Sequence, residues 1–168
     1  MTRRMAAGLA GVVAAALAAL LFWPSQIVLQ VVPTDTGRPV LCAKMRPGEE
    51  VVLSFVHSVN RRPIYDTIRV LRDHLVVVKS RFDAFGAGMP DHSTDEGTFR
   101  VAEDGWLEWT INRPMAEVVV RVGRVANHTL HLKGREVPLA GLSSPGTAVA
   151  LRSAAYSQLD VWKGRCLR

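Results

Sequence analysis

The chain has 168 residues, a net charge of +6 and 48% hydrophobic residues, which excludes a disordered or fibrous chain and fits one globular domain. Basic charge can signal nucleic acid, but two of the cations, Arg3 and Arg4, flank an apolar N-terminal run and no recognition motif follows. Nucleic acid is therefore not expected as a partner.

The first element is MAAGLAGVVAAALAALLFW, Met5 to Trp23, a run without a charge. As a helix it would span about 28 Å, close to the hydrocarbon thickness of a bilayer. Arg3 and Arg4 before it predict a cytoplasmic N-terminus, and Pro24 ends the helix. Residues 1–24 are thus expected to be an uncleaved signal anchor in the inner membrane, with a cleaved signal peptide as the alternative. Either reading exports the rest of the chain to the periplasm or extracytoplasmic space. Thr2-Arg3-Arg4 matches a twin-arginine signal only weakly.

Residues 25–155 carry short apolar runs at 26–32, 39–45, 50–59, 64–72, 74–82, 106–112, 117–123, 128–134 and 147–153. They are rich in β-branched residues and separated by turn residues. That pattern predicts an all-β fold, an antiparallel β-sandwich or barrel-like domain behind one transmembrane helix. The longest irregular piece is 83–97, broken by its glycines and Pro90. Residues 156–168 read as a basic C-terminal tail. In an exported domain Cys42 and Cys166 can form a disulfide; two unpaired cysteines are the alternative.

Strand parity suggests a candidate site. In VVLSFVHSV, His57 shares the apolar face with Val51, Leu53 and Phe55; in the return strand, Asp66 lies between Ile64 and Ile68. A turn at Asn60–Pro63 would pair Val59 with Ile64 and set His57 opposite Asp66, within hydrogen-bonding reach. His128 falls on the apolar face of HTLHLK, and His131 on the other. Two histidines and a carboxylate can hold a metal ion, or can form a structural polar knot. Arg61 and Arg62 at the turn are either solvated charge or a contact for an acidic partner. Gly86 and Gly88 read as turn residues with positive φ, or as points where backbone approaches a ligand; Met89 reads as core filler. No Gly-rich nucleotide loop, G-x-S-x-G elbow, H-E-x-x-H or calcium loop is present, so no catalytic residue or cofactor is assigned.

Three segments together, FVHSVNRRPIYD, GAGMP (86–90) and VRVGRVANHTL (120–130), carry a resemblance. They are similar to a family of small bacterial proteins, described only as a domain of unknown function, whose genes commonly lie beside those of TAXI-type TRAP transporters. The family pattern falls on His57, Ser58, Val59, Pro63 and Asp66, on Gly86 to Pro90, and on Arg121, Val122, Gly123, Asn127, His128 and Leu130. Its acid is more often Glu, so Asp66 is one methylene short. The resemblance covers roughly residues 38–153. It implies an association with solute uptake. The expectation is a non-enzymatic, membrane-anchored accessory protein whose partner is the transporter permease or its solute-binding protein. The alternative is a metal- or small-ligand-binding β-domain, or a hydrolase, built on His57, Asp66 and His128.

Overall fold

The computed structural model of the chain describes residues 3–165, with side chains over 8–163. A helix, α1 (Arg3–Phe22), leads into eleven strands. These are β1 (Gln26–Pro33), β2 (Leu41–Met45), β3 (Glu50–Val56), β4 (Pro63–Val70), β5 (Leu75–Phe82), β6 (Thr98–Val101), β7 (Leu107–Met115), β8 (Glu117–Arg121), β9 (Thr129–Leu132), β10 (Arg135–Pro138) and β11 (Ala148–Tyr156). A helical turn, α2 (Gln158–Asp160), follows and continues as a wider turn, Val161–Arg165.

The strands form two antiparallel sheets, of order β2-β1-β11-β8 and β10-β9-β3-β4-β5-β7-β6. They make a β-sandwich, as the alternating apolar pattern requires. Leu29, Val31, Val149 and Leu151 from the small sheet meet Val51, Leu53, Ile68, Leu75 and Leu130 from the large one in the core. Fully burying each such side chain stabilises the fold by about 1.5–3 kcal/mol. A second cluster, Ile64, Phe82 and Leu107, gathers Phe55, Met89, Phe99 and Trp109 around it. Met89 comes from the 83–97 loop, so that loop folds over the large sheet and packs on its inner face.

The predicted strands are present, with altered ends. β3 stops at Val56 and β4 begins at Pro63, a position proline tolerates because a strand's first residue need not donate to the ladder. β6 and β10 are additions. Their four residues are mostly exposed and lack the apolar alternation that marks the longer strands. β11 runs through Tyr156, the first residue of the expected tail. Beyond it, Ser157 caps α2, and Val161 is buried at 4% exposure. The tail is thus in part a packed element. Cys42 is buried in β2, and Cys166 lies outside the described residues.

Among the described residues no helix is long and apolar enough to cross a membrane, so the expected transmembrane span is not shown. Over 8–23 every described side chain is exposed except that of Leu21, which is half-buried.

Register defines two ends of the sandwich. α1, the start of β1, the end of β11 and the 71–74 turn share one, where Arg72 donates to the Pro24 carbonyl at 2.8 Å. The 57–62, 83–97 and 122–128 loops belong to the other. The seven residues of β3 separate the two by about 23 Å.

Candidate functional site

The β3–β4 connection decides the predicted site. Leu53 stands opposite Asp66, Phe55 opposite Ile64 and Val56 opposite Pro63. The predicted faces survive, but His57 does not pair with Asp66. The connection is a six-residue loop, 57–62, in place of a tight turn. His57 N–H donates to the Arg62 carbonyl at 2.9 Å, and Arg61 N–H donates to the His57 carbonyl at 3.0 Å. Arg61 takes a left-handed φ of 55°. Asn60 makes this longer loop possible: its Oδ1 accepts from Arg62 N–H at 3.1 Å, closing a local side-chain turn.

The three proposed ligands therefore do not form one site, and among the described residues no group of three His, Cys, Asp or Glu side chains can hold a metal ion. His57 sits just past β3, half-buried, its Nδ1 3.4 Å from the Val59 N–H. His128 packs its ring against Phe55, with centroids 5.5 Å apart, and its carbonyl accepts from Leu139 N–H. Burial holds the His128 imidazole below its usual value, which favours the neutral ring. Asp66 lies on the inner face of the large sheet, in a row that runs Leu130, Leu53, Asp66, Ser80, Trp109 and Phe99. Its carboxylate accepts from the Ser80 hydroxyl. Burial pushes its pKa up, and the Ser80 hydrogen bond offsets only part of that rise.

The arrangement does bring together the three motif segments, at the end away from α1. Asn60 Nδ2 reaches across to the Phe85 carbonyl at 3.2 Å and the Ala84 carbonyl at 3.4 Å. A Cβ on Gly86 would lie 2.7 Å from that Nδ2, so a larger residue there would have to displace the Asn60 side chain from its hydrogen bonds. The expectation of a positive φ holds for Gly88, at 80°, and not for Gly86. Arg62 Nε donates to Asp83 Oδ1 at 3.0 Å, and this hydrogen bond holds the Asp83 carboxyl below the usual range. On the other side, Val56 N–H donates to the Ala126 carbonyl at 2.7 Å. Val56, His57, Ser58, Arg61 and Val125 line a hollow of about 310 Å³. Val125 in its lining is exposed, as are Val59 and Phe85 on the 57–62 and 83–97 loops of the same end.

A family model described as "Domain of unknown function (DUF1850)" matches residues 51–139. The chain belongs to this family. No curated protein and no solved structure matches it. The DUF1850 match takes in nearly all of the seven-stranded sheet, β8 and all three motif segments. β1, β2 and β11 lie outside it.

Sequence reasoning missed Glu108 within the DUF1850 segment. Glu108 is 4% exposed on the outer face of the large sheet, ringed by Lys79 at 3.1 Å, Arg81 at 3.0 Å and Arg100. Burial opposes its ionisation, but hydrogen bonds from Arg100 and Lys79 outweigh it and hold the carboxyl below the usual range. Arg81 also stacks over Trp106 at 5.3 Å. The signal lay in WLEWT, where an acid sits between Leu107 and Trp109 and must face the other way.

Proposed function

We propose that the chain is a membrane-anchored, extracytoplasmic accessory subunit of a TAXI-type TRAP solute transport system, acting by protein contact and not by catalysis. The observation that carries this reading is the convergence of the HSVNRRP, GAGMP and RVGRVANH segments on one exposed end, opposite α1. There Val59, Phe85 and Val125 are 65%, 56% and 79% exposed. Exposed apolar side chains grouped on ordered loops favour a protein partner. Arg61, exposed at the same loop, adds a charge for an acidic surface. The clasp between Asn60 and the 84–86 backbone presents these loops in one arrangement, which lowers the ordering cost of binding.

The anchor in this reading rests on the uncharged run from Met5 to Trp23 and on the exposure of α1. A helix apolar on all sides is at home in lipid or against another apolar helix. The partner is the permease or the solute-binding protein of the same transporter.

The test is brief cross-linking of the full-length chain in its native membrane, with mass spectrometry of what is captured. The expected result is recovery of the permease or binding protein, reduced several-fold by Arg61→Glu with Val125→Asp. Uptake unaffected by deletion, together with no transporter component captured, would overturn the proposal.

A further inference from the structure

The end of the sandwich beside α1 has its own surface, distinct from the motif-bearing end. A groove of about 480 Å³ opens between β2, the β9–β10 turn and the C-terminal turn, lined chiefly by Lys44, Arg46, Lys133, Gln158, Val161 and Trp162. α2, which carries Gln158, touches α1. Trp162 is 59% exposed and Trp23, at the foot of α1, is 66% exposed. Among the described residues, Lys44 and Arg46 form no salt bridge, while Lys133 reaches Glu49 at 2.5 Å.

The charges at this end are unequal. Lys44, Arg46, Arg72, Lys133 and Lys163 stand against Glu49, Asp73 and Asp160; Glu50 and Glu117 are already paired with Arg69 and Arg152. Cations around a groove, two exposed tryptophans and an apolar helix rising from the same end are the chemistry of a bilayer interface. Tryptophan favours headgroup depth, and each Lys or Arg near an anionic leaflet is worth about 1 kcal/mol, roughly five-fold in affinity.

We infer that the groove formed by Lys44, Arg46, Lys133, Gln158 and Trp162 binds the phosphate of an anionic phospholipid headgroup and seats the domain on the membrane. The inference rests on the anchoring reading above and deepens it. Seated in this way, the sandwich stands with the Arg61 and Val125 end turned away from the bilayer, about one strand length from the headgroups.

The experiment uses the full-length chain in vesicles of phosphatidylcholine, with or without phosphatidylglycerol, each doped with a headgroup spin-labelled lipid that quenches tryptophan on contact. Comparing the chain with its Trp162→Phe and Trp23→Phe variants isolates each indole. The expected result is quenching of Trp23 in both vesicles and of Trp162 only with phosphatidylglycerol. The Trp162 quenching should fall several-fold in Lys44→Gln/Arg46→Gln and at high salt. Quenched Trp23 with unquenched Trp162 would overturn the headgroup site and leave the anchor standing. Equal Trp162 quenching in both lipids, unmoved by the charge variant, would also overturn it. If neither indole is quenched, the anchoring reading fails and takes this one with it.

Discussion

Asp66 is the residue whose environment conflicts most with its chemistry. It stands among apolar neighbours on the inner face, with the Ser80 hydroxyl as its hydrogen-bond donor. Its raised pKa means that the charged form is disfavoured in the fold. Stability from this group is therefore greatest below the ordinary aspartate range and is lost as pH rises through the raised value. Asp83 and Asp104, held low by hydrogen bonds from Arg62 and Arg81, act in the opposite sense. Their contribution is present above the ordinary range and is lost as pH falls through the lowered values. Asp66→Asn keeps an acceptor for Ser80 and removes the charge. It is expected to raise Tm at neutral pH and to change it little in acid, as read by thermal melts across pH. A Tm shift of equal size at every pH would reject this account.

At the scale of elements, the 57–62 loop and the 83–97 loop act as one unit. Gly86→Ala places a methyl against Asn60 Nδ2 and is expected to cost about 1–2 kcal/mol, as does Asn60→Ala through its lost hydrogen bonds. Because both changes break the same clasp, the double variant should cost less than their sum in denaturant titrations. On the opposite face of the sheet, Glu108→Ala leaves Lys79, Arg81 and Arg100 without their shared acid. Those cations reach solvent, so the expected loss is roughly 2 kcal/mol, below that of a fully buried pair. The same elements show what could be read in advance. Apolar alternation in 50–56 and 64–70 revealed both strands and their inward faces, because parity depends only on local spacing. The register did not follow from it. Pairing is set by loop length, and the loop is lengthened by a contact from Asn60 to a segment 25 residues away. Asp66 is thus on the face that parity predicts, whereas His57, past the end of β3, has left the sheet and is not beside it. Convergence of the three motifs at one end was likewise invisible to strand phase, since it depends on how the 83–97 and 122–128 loops fold back.

For the whole molecule, the family segment and the folding unit differ. Residues 51–139 contain nearly all of the large sheet but only β8 of the small one. Expressed alone, that segment would expose Leu53, Ile68 and Leu130, which β1 and β11 cover. It is expected to lack dispersed amide signals in a proton–nitrogen NMR spectrum, whereas a piece starting at Ser25 and keeping the C-terminus should show them. A well-dispersed spectrum from 51–139 would mean that the small sheet is dispensable.

The pairing of β1 with β11 also dictates an order of events in time. Gln30 donates to the Tyr156 hydroxyl at 2.8 Å across 126 residues of chain. The first strand thus has to wait for the last before the small sheet can close around its centre. Until then the apolar QIVLQVV segment offers an open edge to any other strand it meets. Nascent chains halted before residue 148 are expected to be captured by holdase chaperones through this segment. The pairing sets a high contact order for the fold, so refolding from denaturant should be slow for a domain of this size.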